Sequence, residues 1–105
     1  MAPIILGPFV LGEPIGRGGI AEVWRATHKD AGTPVAIKVI TARHARSERF
    51  VATFRTEVHA VARLSHPAIV TVLDHGEVSA AAEEASAGRL VAKSPYLAME
   101  LASLG

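Results

Sequence analysis

The chain has 105 residues, half of them hydrophobic, with 11 Lys plus Arg set against 10 Asp plus Glu. That length fits one domain with a real core. A formal net charge of +1 leaves no electrostatic footprint for nucleic acid or an anionic membrane surface. The absence of cysteine excludes disulfides and thiolate metal sites.

The start, residues 1–8, is apolar but broken by Pro3, Gly7 and Pro8, and it lacks a basic segment. It reads as a short extension rather than a secretory signal. No apolar run approaches the roughly 20 residues of a membrane-spanning helix, and the chain is expected to be cytoplasmic. Phe9 to Ile15 predicts an irregular first strand, interrupted by Gly12 and Pro14. Ala21 to Thr27 is its hairpin partner, with Gly16-Arg17-Gly18-Gly19 as the connection. Glycines there let the backbone turn tightly and bring its N–H groups close to a bulky anion, most simply a polyphosphate.

His28 to Pro34 is a turn, and Pro34 to Thr41 a third strand. Val35, Ile37 and Val39 share one face of it, and Ala36, Lys38 and Ile40 the other. Lys38 is the one charge in a strand that otherwise looks buried on both sides.

Ser47 to Ser65 predicts one long helix, with Phe50, Phe54, Val58, Val61 and Leu64 on one stripe. Glu57 projects into the middle of that stripe. A carboxylate there either reaches solvent at the core margin or meets a cation. Lys38 is the complementary misfit. His66-Pro67 ends the helix, Ile69 to Leu73 is a strand, and Asp74-His75-Gly76 reads as a turn. Ser79 to Gly88 is expected to be a flexible loop or a short exposed helix. Leu90 to Leu101 recovers strand character, strongest at Tyr96-Leu97-Ala98-Met99.

Five pieces in order resemble the N-terminal lobe of a protein kinase, most closely the bacterial Ser/Thr kinases of the eukaryotic-like type. They are Ile15 to Val23, Val35-Ala36-Ile37-Lys38, Glu57 within a helix, His66 to Val70, and Tyr96 to Glu100. Ala21 stands where the family pattern has its third glycine. The resemblance implies an α+β fold: a five-stranded antiparallel sheet with one long helix packed on it, covering residues 9–105 and ending just past the hinge.

It also implies ATP as cofactor. Gly16, Gly18 and the Arg17 and Gly19 backbone would cover the phosphates, and Lys38 would hold them and pair with Glu57. Ile15, Val23 and Ala36 would roof the adenine, Met99 would be the gatekeeper, and the Glu100 and Ala102 backbones would bond the adenine edge.

The H-R-D and D-F-G motifs that supply a kinase with its base and Mg²⁺ ligands are absent, and the two aspartates are Asp30 and Asp74. The histidines show no metal-ligand spacing. The chain is therefore expected to be a roof for ATP without a floor, unable to phosphorylate a protein substrate alone. Its exposed underside would favour self-association. The other reading is a non-catalytic module that binds nucleotide or a partner through that face.

Overall fold

The computed structural model describes residues 3–63 and 72–101. In chain order the elements are β1 (Ile5–Leu6), β2 (Phe9–Gly18), β3 (Ala21–His28), β4 (Pro34–Ile40), α1 (Ala42–Ala45), α2 (Glu48–Arg63), β5 (Val72–Glu77), α3 (Ala80–Ala85) and β6 (Pro95–Glu100). The strands form one sheet in the order β1-β2-β3-β4-β6-β5, and every neighbouring pair is antiparallel.

Among the described residues the sheet thus has six strands rather than the five expected. The extra strand arises because Gly7, at φ +56, folds Ile5 and Leu6 back onto Val10 and Phe9. Leu6 is fully buried there, so part of the expected extension joins the sheet. The glycine-rich stretch also differs from a simple connecting loop. Gly16 pairs with Val23 and Gly18 with Ala21, so both lie within β2. The turn itself is confined to Gly19 and Ile20, with Gly19 at φ +58. Register shifts between Leu11 and Gly16 flank Pro14, whose missing N–H cannot continue a regular ladder.

Alternation along β4 separates two cores. Val35, Ile37 and Val39 pack with Leu11, Trp24, Ala26, Tyr96 and Ala98 on one face, closed by Val78, Ala82 and Leu90. On the other face Ile40 packs with Ala21, Leu97 and the α2 side chains Phe54 and Val58. The inward stripe of α2 keeps Phe54 and Val58 of the one expected but not Phe50. Val51 flanks the core, whereas Phe50 is 40% exposed and meets the His44 ring edge-on at 5.2 Å. The expected stripe members Val61 and Leu64 lie outside the described side chains.

Asp74-His75-Gly76 is strand, not turn: these residues pair with Ala98, Leu97 and Tyr96 in β5–β6. Tertiary packing explains the difference. A Cβ at Gly76 would stand 2.9 Å from the Tyr96 hydroxyl, so this glycine is there to admit a ring rather than to turn the chain. Of the strand expected at Ile69 to Leu73, only Val72 and Leu73 are described, as the start of β5.

The Ala-rich segment forms the short helix α3. The Ser79 hydroxyl caps it by accepting from the Ala82 N–H at 3.0 Å, and Ala82 is buried. Ala87 and Gly88, both at positive φ, end it. The last strand is shorter than Leu90 to Leu101, because Lys93 at φ 73 holds the chain out of the ladder until Pro95.

Candidate functional site

Strand register brings the expected residues together before any side chain is considered. Gly16 lies opposite Val23, Val23 opposite Lys38, and Lys38 opposite Leu97, a row that crosses four strands. The next row runs Arg25, Ala36, Met99 and Val72. Directly opposed residues project to the same face of an antiparallel sheet. Gly16, Val23, Ala36, Lys38 and Met99 therefore share the α2 face.

Lys38, Phe54, Glu57, Val58, Ala60 and Leu97 line one cleft of about 270 Å³ between that face and α2. Lys38 is half-buried and Glu57 exposed. They share the cleft, but no ion pair joins them. The carboxylate stays at the solvent rim, as expected for a residue at a core margin. The helix is held at its flank, where the Arg55 guanidinium donates to the Glu77 carboxylate and to the Lys93 carbonyl, each at 3.4 Å.

The other candidates are placed as follows. A Cβ built at Gly16, Gly18 or Gly19 would meet no atom within 4 Å, so the space over the hairpin is clear. The Arg17 side chain turns to Glu22, on the face away from Lys38. Ile15 is 44% exposed. Glu100 is exposed and opposite Val35, so its side chain belongs to the other face. Ala102 lies outside the described residues.

Sequence reasoning missed Glu22. Its side chain is only 3% exposed, and its Oε1 accepts from the Trp24 indole N–H at 3.1 Å. Its Oε2 lies 3.4 Å from the Arg17 guanidinium and 4.0 Å from that of Arg89. Arg89 also lies 4.8 Å above the Trp24 ring. The alternation Glu22, Trp24, Ala26 on the face of Val35, Ile37 and Val39 was the signal available.

Chemically the α2 face offers the Lys38 cation, backbone N–H groups beside Cβ-free positions, and an apolar surface of Val23, Ala36 and Leu97. That set suits a polyphosphate attached to a flat apolar group. A resident Mg²⁺ is not matched: among the described residues no group of three or more His, Asp or Glu side chains is arranged to hold a metal ion.

The family model described as "Protein kinase domain" matches residues 9–105. The chain is 44% identical over 94 residues to a probable serine/threonine-protein kinase PknB of Bifidobacterium longum, a match covering 90% of this chain and 13% of that protein. It is 42% identical over 92 residues to the serine/threonine-protein kinase PknB of Mycobacterium tuberculosis, covering 88% and 13%. A probable serine/threonine-protein kinase of Streptomyces coelicolor is 48% identical over 71 residues, covering 68% and 10%. The chain thus spans about an eighth of the length of the first two relatives. Its sheet, its ordered motifs and these matches agree: the chain belongs to the protein kinase family, as an N-terminal lobe of the bacterial serine/threonine type.

Proposed function

We propose that this chain forms the ATP-covering lobe of a serine/threonine protein kinase. The observation that carries the reading is the register row Gly16–Val23–Lys38–Leu97, which sets a cation beneath a glycine-cleared hairpin on one sheet face. The β- and γ-phosphates lie under the hairpin, bonded by its N–H groups. The Lys38 ammonium holds the α- and β-phosphates, and Val23, Ala36 and Met99 pack against the adenine. Glu57, already in the Lys38 cleft, becomes the partner that aims the ammonium once α2 moves toward the sheet.

These residues bind, orient and shield the nucleotide. The acid–base and metal-holding groups of phosphoryl transfer come from outside this lobe, and so does recognition of the protein substrate.

Calorimetric titration of the chain with ATP tests the reading. Saturable binding is expected. Lys38→Met removes a charge-assisted contact of about 1.5–3 kcal/mol, raising Kd about tenfold or more. No detectable binding, or equal binding by Lys38→Met, overturns the assignment.

A further inference from the structure

Glu22 is a carboxylate placed where a charge is costly, on the buried face of β3. Its partners come from separate segments: Trp24 in the core, Arg17 on β2, and Arg89 in the connection to β6. The two arms of the glycine hairpin are held very differently. The β3 arm is fixed by Ala21 in the α2 core and by the Ile20 carbonyl, which accepts from the Thr41 N–H at 2.9 Å. The β2 arm from Gly16 to Gly18 carries one side chain only, that of Arg17. It lies directly opposite Glu22 and binds it.

We propose that Glu22 is a positioning residue: its buried carboxylate, fixed by the Trp24 indole, holds the β2 arm of the hairpin through Arg17 at the height a polyphosphate requires. An exposed ion pair alone would hold it weakly. Here the acceptor is immobile and shielded from water, so the pair is stronger and better aimed. Because Arg17 points away from the Lys38 face, it acts on the ligand through the backbone it anchors. The proposal deepens the ATP-covering reading and rests on it for the ligand.

The test compares the wild-type chain with Glu22→Gln and Arg17→Gln by hydrogen exchange and by titration with ATP and with adenosine. Glutamine keeps an acceptor for Trp24 and removes only the charge. Exchange at the amides of residues 16–19 is expected to accelerate about tenfold or more in both variants, the scale of one lost charged hydrogen bond. ATP is expected to weaken by a similar factor in Glu22→Gln while adenosine binding is unchanged. A general loss of structure would instead weaken both ligands alike, and that result overturns the proposal. Unchanged exchange at residues 16–19 overturns it as well. Should Glu22→Gln fail to fold, Arg17→Gln, altered at a mostly exposed side chain, decides by the same exchange readout. If the wild-type chain binds no ATP, the nucleotide reading fails, and the exchange data still decide the positioning role.

Discussion

At the scale of single residues, the glycines of the hairpin separate into two kinds. Gly19 is required by its own backbone, at φ +58, whereas Gly16 is a paired strand residue with open space where a side chain would stand. Gly19→Ala is therefore expected to cost about 1 kcal/mol. Gly16→Ala is expected to leave stability within about 0.5 kcal/mol, yet to weaken ATP binding by crowding the phosphates. Thermal melts paired with ATP titrations of the two variants check this, and equal ATP affinity for Gly16→Ala and wild type would count against the hairpin as a phosphate cover. The sequence made Lys38 legible, because one charge interrupts a run of apolar residues. It made Glu57 legible as a misfit that either reaches solvent or meets Lys38, but not which; in the folded lobe it is exposed, with no ion pair to Lys38. The choice depends on where α2 docks, which no local pattern encodes. Glu22 was not legible because its burial depends on Arg17 and Arg89, which reach it from other segments of the fold.

Elements were legible where periodicity was strong and obscure where tertiary contact overrides local chemistry. The β4 alternation anticipated both cores, and the α2 pattern located a helix. Phe54 and Val58 lie inward as expected, but Phe50 finds an aromatic partner in His44 on the surface while Val51 turns inward in its place. Phe54 is the pivot of the α2 contact, buried against Ile40, Ala21 and Leu97. Phe54→Ala is expected to lower stability by about 3–5 kcal/mol. Phe50→Ala, by contrast, lies within about 1 kcal/mol of wild type. Denaturant unfolding of the two variants distinguishes them, and a Phe50 cost matching that of Phe54 would place the stripe as the periodicity alone had it. Asp74-His75-Gly76 shows the converse case. Its composition is that of a turn, yet Gly76 serves the ring of Tyr96 and the segment stays in the ladder.

For the whole molecule, Tyr96 reveals a shape that strand order alone does not. Cβ atoms at Gly7 and at Gly76 would fall 2.7 Å and 2.9 Å from its hydroxyl. Those glycines adjoin β1 and lie in β5, the opposite edges of the sheet. The sheet therefore curls around the larger core until its edges converge on one phenol. Burial raises the Tyr96 pKa above its ordinary value of 10.0, and the charge of Asp74 raises it further. The folded state thus holds this proton more tightly than the unfolded chain does. The resulting stability is complete below pH 10 and is lost as pH rises from there through the folded value. Melting temperatures from about pH 9 upward are expected to fall more steeply in wild type than in Tyr96→Phe. Parallel curves for the two would remove Tyr96 from the alkaline transition.

The two cores also differ in what light reports on them. Trp24, the single tryptophan of the chain, lies in the core enclosed by the curled sheet, with Arg89 above its ring. The core beneath α2 contains no indole. Emission from this protein therefore tracks the hairpin, Glu22 and the enclosed core, while melting of α2 leaves the indole in place and shows as lost helical dichroism. A lobe whose helix has melted while its sheet stays closed looks fully native to one instrument and partly unfolded to the other.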